Sequence, residues 1–370
     1  MRRVVLPLLL AALLLWPILG LSQTVSPGST FSNGVRLTNA IPVIVDQDYG
    51  CDADDAADLW LAAFLHRQGY IQLLGVGASG GIVNSAPGVR ASLDSVSLQA
   101  VPVANGNGWS STNCDFYATA VRDQFRAGDV NANYTNSTVA YRTWLAASRG
   151  GVAIIATGQA FALQDLLNSP ADGISGLTGK QLIAAKVAAL YWAAGVWPSG
   201  TGDFNLTCCN ASNKTWAADV LANWTSPIIL VNLTIGGITL TGDHLPQPAN
   251  TTVSGFGCFS ASSPVCSNQT TNPFHKAWAS FDANSLSGGN GLDVNGMRNA
   301  WTQPELPALA FGLGAAGLTI AGANGTCSLN TGTLDNTWSA SAGTCSYLAI
   351  SGSSSHSAIQ TALAAYFTGF

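Results

Sequence analysis

The stretch Val43-Ile44-Val45-Asp46-Gln47-Asp48-Tyr49-Gly50-Cys51-Asp52-Ala53-Asp54-Asp55-Ala56 carries five carboxylates within ten residues, directly behind an apolar run that begins at Ile41. A short β-branched run, an acidic turn and then the apolar segment Ala56 to Leu65 read as strand, loop and helix. That is the unit from which parallel α/β sheets are built, and the loop after the strand is where such proteins keep their chemistry. Like charges this close repel one another. A folded chain tolerates them in solvent, by protonating some, or around a cation, and oxygen ligands in this number suit Ca²⁺ or Mg²⁺. An EF-hand loop does not fit: counting from Asp46, Cys51 falls where the turn needs Gly and Ala57 falls where a bidentate Glu is required. A solvated acidic turn is the plainer alternative, and the apolar elements on both sides argue against it.

Outward from this motif, the 370 residues alternate short aliphatic runs with longer helical patterns, the signature of stacked βα units. Strands are expected at Pro42 to Val45, Gln72 to Val76, Val152 to Ala156, Lys186 to Trp192 and Pro227 to Asn232. Helices are expected at Ala53 to Arg67, Ser85 to Leu98, Ala160 to Asn168 and Trp216 to Ala222. Residues 242 to 298, rich in Pro, Gly, Ser and Asn, read as a loop-rich excursion over one face. Beyond it come a helix at Pro304 to Leu313, a strand at Leu318-Thr319-Ile320, a β segment at Cys345 to Ile350 and a closing helix at Ser357 to Phe367. No linker splits the body and no internal repeat is found. The expectation is a single α/β domain with a mainly parallel central sheet flanked by helices.

Composition narrows the partners. Hydrophobic residues make up 47% of the chain, ample for a large core, while only 9% are charged and the net charge is -5. No basic surface exists for a nucleic-acid backbone, so a polymeric nucleic acid is not an expected partner. Arg2 and Arg3 precede the apolar run Leu6 to Leu15, with small residues at Gly20 and Ser22. Residues 1–22 therefore read as a secretory signal peptide, leaving a mature domain over 23–370 and a secreted or periplasmic location. An uncleaved anchor is the competing reading, but the run is short for a bilayer and Pro17 interrupts it. No later segment looks like a membrane helix. In an oxidising compartment the eight cysteines are expected to pair, proximity favouring Cys258 with Cys266 and Cys327 with Cys345. The partners of Cys51, Cys114, Cys208 and Cys209 stay open. Ten Asn-x-Ser/Thr sequons are present, Asn205 among them.

At the acidic motif the chain resembles the inosine-uridine-preferring nucleoside hydrolase family, in the branch whose signature runs Asp-x-Asp-x-Gly-x-Asp-x-Asp-Asp-Ala. Asp46, Asp48, Gly50, Asp52, Asp54, Asp55 and Ala56 match it. The likeness continues through Gly75 to Gly81, Asn84, Pro87 to Arg90, Val101-Pro102-Val103, Ala156-Thr157-Gly158, Asp203-Phe204-Asn205 and Leu318 to Ile350. It implies a metal-dependent N-glycosidase that hydrolyses ribonucleosides to ribose and free base. By the same likeness Asp48, Asp55 and the Thr157 main-chain carbonyl would ligate Ca²⁺, with Asp48 as general base. Asp54 would bind the ribose or a metal-bound water, and Asp203 and Asn205 would hold the ribose hydroxyls. Family members are often homo-oligomeric, which the resemblance carries with it as an expectation.

The pattern departs from the family at several positions. Thr302, in Arg298-Asn299-Ala300-Trp301-Thr302, stands where the family has its last Asp ligand, and Glu305 and Asp282 are the nearest carboxylates in sequence. Gly81 replaces an Asn that touches the sugar, and Thr234-Ile235-Gly236 lacks the acid of a Glu-Ile-Gly block. His244 and His275 could protonate a leaving base or be exposed loop histidines. Trp278 and Trp301 could stack on a base or pack structurally. A secreted relative that binds a metal or ligand without turnover is the alternative function.

Overall fold

Isoleucine and valine alternate along Ile41–Gln47 so that Val43 and Val45 enter one hydrophobic cluster and Ile44 the other, which makes this strand the centre of a sheet covered on both faces. In the computed structural model, residues 40–51, 54–106, 114–207, 212–232, 235, 271–274, 276–277, 280 and 318–350 are described. In chain order their elements begin β1 (Ile41–Gln47), α1 (Asp54–Arg67), β2 (Ile71–Ala78), α2 (Ser85–Ser95), β3 (Val103–Asn105), α3 (Ala118–Phe125), β4 (Thr135–Asn136), α4 (Ser137–Ala147), β5 (Val152–Ala156) and α5 (Phe161–Asn168). There follow α6 (Gly179–Lys186), β6 (Val187–Ala193), β7 (Ser199–Thr201), α7 (Phe204–Thr207), α8 (Asn213–Asn223), β8 (Ile228–Val231), β9 (Leu318–Leu329), β10 (Asp335–Ser339) and β11 (Cys345–Ile350).

These strands form one sheet in the order β4-β3-β2-β1-β5-β6-β8-β11-β9-β10-β7. Pairing is parallel from β4 through β11 and antiparallel from β11 to β7. The chain runs outward from β1 through β2 and β3 to β4, then returns to place β5 on the other side of β1. Helices α1, α2 and α3 cover one face, and α4, α5, α6 and α8 the other. The α/β class and the mainly parallel sheet are as the sequence led us to expect. None of the described helices is long and apolar enough to cross a membrane.

Helix α1 is buried from Asp54 to Leu65, which explains a sequence without a polar stripe. Asp54 and Asp55 in its first turn and His66 and Arg67 in its last complement the helix dipole. The other expected strands and helices among the described residues lie within a few residues of their places, except the strand at Leu318-Thr319-Ile320, which continues to Leu329. Helices α3, α4 and α6 had no counterpart in the sequence reading. Two of them begin on polar caps: Asn136 accepts from the amides of Thr138 and Val139, and Thr178 forms a capping box with Gln181. Because α6 runs directly into β6 at Val187, the two periodicities merge in sequence. Helix α8 starts earlier than expected, at Asn213. The signal segment, the excursion at 242–298 and the helices at Pro304 to Leu313 and Ser357 to Phe367 lie outside the described residues.

Two disulfides are described. Cys327–Cys345 is the expected pair and joins β9 to β11; Cys51–Cys114 supplies the partner the sequence left open. Cys208, Cys209, Cys258 and Cys266 lie outside the described residues. In β2, glycines let α4 lie close to the sheet. A Cβ on Gly75 would stand 2.5 Å from the Trp144 ring, and one on Gly77 would overlap the Tyr141 hydroxyl. Gly77→Ala is expected to cost about 1–3 kcal/mol by overpacking, read as a lower urea midpoint. An unchanged midpoint would show that α4 can shift away freely.

Candidate active site

The order of the sheet reverses between β1 and β5, and in open parallel sheets the crevice at such a switch point, beyond the carboxyl ends of the strands, is where ligands bind. The acidic loop leaves β1 at this crevice. Asp46, Asp48, Asp54 and Asp55 are all buried, at 1, 4, 8 and 1% exposure. The loop turns sharply at Gly50, whose φ of 127° lies in the region that favours glycine, and the Cys51 amide closes the turn on the Asp48 carbonyl at 3.2 Å. Asp54 Oδ1 accepts the Asp55 amide at 2.9 Å as α1 begins.

From the other side of the crevice, the turn after β5 meets this loop. The Thr157 amide donates to the Asp46 carbonyl at 2.8 Å, and Thr157 Oγ1 donates to Asp55 Oδ1 at 2.8 Å. Gln159 Nε2 donates to Asp48 Oδ2 at 2.7 Å. Asp48 is cradled by backbone: a Cβ on Gly158 would stand 2.9 Å from its amide nitrogen, and one on Gly80 would collide with its side chain. The turn after β5 thus sets Thr157 against Asp55 and Gln159 against Asp48.

Asp203 and Asn205 follow β7 at the start of α7, with much of their hydrogen-bonding capacity spent on main chain. Asn205 Nδ2 donates to the carbonyls of Thr157 at 2.8 Å and Ala193 at 2.7 Å, tying the ends of β5 and β6 together. What it can still offer a sugar is the acceptor Oδ1. The occupied amide nitrogen also leaves no room for a glycan at this sequon. Asp203 Oδ1 accepts the Leu206 amide at 3.0 Å at the start of α7. Burial pushes its carboxyl up to about 6, against the backbone amides of Gly195, Leu206 and Asn205, which pull it down.

The electrostatics are set by buried acid. Burial pushes Asp46 up to about 7; hydrogen bonding from Ser79 lowers it, and neighbouring Asp48 adds to the rise. Arg90, Arg122, Arg126 and Arg142 direct their charge to Asp94, Asp123, Asp129 and Asp172, away from the crevice. On α1, Asp58 is buried with neither oxygen hydrogen-bonded, and burial pushes its carboxyl up to about 8. A folded pKa above the unfolded value contributes stability fully present below about pH 4 and lost as pH rises to about 8. Between about pH 5 and pH 8, stability is expected to fall through this group by up to about 1.4 kcal/mol per pH unit. Asp58→Asn should remove that slope in urea unfolding, and equal slopes in both proteins would exclude the assignment.

The donor set fits a hard cation: carboxylates of Asp48 and Asp55, the Thr157 carbonyl and a buried Gln159 Oε1 without a hydrogen-bond partner. Among the described residues, no three Asp, Glu, His or Cys side chains converge as a ready-made metal cage, so neutral oxygens would have to complete the shell. The sequence reading gave no role to Gln159, Ser79 or Asp58. Polar residues beside a glycine turn were the available signal for the first two. Gly81 adopts φ 66°, a conformation that an Asn at this position could adopt only less readily. Asp52, Thr234, Gly236, His244, His275, Trp278, Asp282, Glu305 and the Arg298-to-Thr302 block lie outside the described residues.

No protein-family profile matches the chain, and no curated protein matches it in sequence. Solved structures do. The inosine-uridine preferring nucleoside hydrolase from Bacillus anthracis aligns at 13% identity and a TM-score of 0.54, over 88% of this chain and 99% of that one. A plant nucleoside hydrolase, PpNRh1, aligns at 14% identity and 0.61, over 90% of this chain and all of that one (100%). The type III effector XopQ, solved with adenosine diphosphate ribose, aligns at 13% identity and 0.56, over 90% and 95%. The chain has the nucleoside hydrolase fold.

Proposed function

We propose that this protein is a secreted, Ca²⁺-dependent N-glycosidase that hydrolyses ribonucleosides to ribose and free base. The observation that supports the reading is the contact of the acidic loop with the turn after β5 at the switch point of this fold, Thr157 on Asp55 and Gln159 on Asp48. Asp48, Asp55 and the Thr157 carbonyl would hold the ion. When bound, Ca²⁺ supplies Lewis-acid chemistry, acidifying water and gripping the ribose diol. Asp48 takes the proton of the attacking water as its oxygen bonds to the anomeric carbon. The C–N bond breaks, its electron pair leaves with the base, the base takes up a proton from solvent, and Asp48 returns its own proton to solvent to complete the cycle. The positive charge that develops on the sugar ring is stabilised by the surrounding buried carboxylates. Asp54 and Asp203, with Asn205 Oδ1, position the ribose hydroxyls.

The test is ribose release from a panel of purine and pyrimidine nucleosides, with Ca²⁺ and after chelation. Release that chelation abolishes is the expected result. A second reading, a ligand-binding relative without turnover, is favoured by Thr302 in place of an acid and by the effector XopQ, a fold neighbour solved with adenosine diphosphate ribose. Calcium binding with no release from any nucleoside would select it.

A further inference from the structure

We propose that Gln159 is a cation ligand of this site, presenting its side-chain Oε1 as a neutral oxygen while its Nε2 holds Asp48 in place. The proposal rests on the calcium reading above. Gln159 follows the Thr157-Gly158 turn and is 2% exposed. Its Nε2 lies 2.7 Å from Asp48 Oδ2, and because an ionised carboxylate only accepts hydrogen bonds, the nitrogen of the amide must face it. The oxygen is therefore directed to the other edge of the same amide plane. There it is buried and makes no hydrogen bond.

An acceptor left in this condition costs about 1–3 kcal/mol, and such a group in a folded protein calls for a partner. The partner cannot be another carboxylate oxygen, which offers no proton when ionised, and the acid beside this amide, Asp48, already accepts from its Nε2. A cation meets the need of the amide oxygen and of the acids together. Calcium takes six to eight oxygens and accepts Asn and Gln amides among them. Two carboxylates and one main-chain carbonyl leave such a shell short, and Thr302 stands in sequence where a further acid is expected. Gly80 borders both groups: a Cβ there would strike Asp48 and come into ordinary contact with Oε1 at 3.4 Å. A ribose hydroxyl donating to Oε1 is the competing arrangement, but the atom is sealed from solvent, as suits a resident ion better than an exchanging substrate.

The experiment uses Tb³⁺ as a luminescent stand-in on the mature protein, with Ca²⁺ competition and with decay rates in H₂O and D₂O to count the waters on the ion. Gln159→Leu removes both amide atoms, and Gln159→Glu keeps an oxygen at the same reach. In Gln159→Leu, Ca²⁺ affinity is expected to fall by about 10- to 100-fold and the ion to gain about one water, with the apo melting curve unchanged. Gln159→Glu should keep the wild-type water count. Weaker binding without an added water would overturn the ligand role and leave Gln159 acting through Asp48 alone. Wild-type binding that Gln159→Leu leaves unchanged would overturn the proposal while the calcium reading stands. A wild-type protein that binds neither ion would remove both.

Discussion

Asp48→Asn is expected to lower kcat/KM for nucleoside hydrolysis by about 10²–10⁴-fold, the range for loss of a positioned general base. The side chain keeps its size, so the tight backbone cradle formed by Gly80 and Gly158 stays filled. On the proposed mechanism, what is lost is the basic oxygen and one of the few anionic ligands. An Asn amide can still accept from Gln159 Nε2 through its oxygen, which separates the chemical effect from loss of packing. Ribose release and Ca²⁺ titration should fall together, while circular dichroism and the apo melting temperature stay close to wild type. Asp55→Ala should also lose turnover, but with broader effects, because it strips Thr157 Oγ1 of its acceptor. Turnover of Asp48→Asn within tenfold of wild type would move the base elsewhere.

Removing the Cys51–Cys114 disulfide is expected to have the largest effect on stability. The bond closes a loop with a sequence separation of 63, for which chain entropy predicts about 4 kcal/mol, against about 3 kcal/mol for Cys327–Cys345 at a separation of 18. A double Ser replacement at 51 and 114 should lower the melting temperature by on the order of 5–10 °C. The consequence for the site is specific, because Cys51 lies midway between Asp48 and Asp54. Non-covalent tethers remain: the Phe116 amide on the Gly50 carbonyl at 2.9 Å, Tyr49 Oη with Ser92 Oγ at 2.9 Å, and the edge-on contact of Tyr49 with Tyr117 at 4.8 Å. The loop should therefore keep its course with wider excursions, and calcium affinity should drop in the 51/114 variant while the 327/345 variant keeps it. Equal affinity in both variants would show that the tethers suffice.

Much of the scaffold was legible in sequence because its signals are local. The alternation of Val43, Ile44 and Val45, the acidic turn behind them and the apolar body of α1 are each contained within one turn or strand. The Cys327–Cys345 pair could be chosen because its members are near neighbours along the chain. The residues 203 to 205 were located by a short motif, but not the use of Asn205 Nδ2 by main-chain carbonyls, which depends on where the ends of β5 and β6 fall.

By itself, then, the sequence determined the α/β class, the central strand and the acidic loop that follows it, because 2- and 3.6-residue periodicities and charge density are properties of short segments. Only tertiary structure decided that β5 returns to lie beside β1, that Cys114 is the partner of Cys51, and that Thr157 and Gln159 face Asp55 and Asp48. Those contacts join residues 102 and 111 positions apart, and they are chosen by the packing of helices on two faces of one sheet rather than by any local preference.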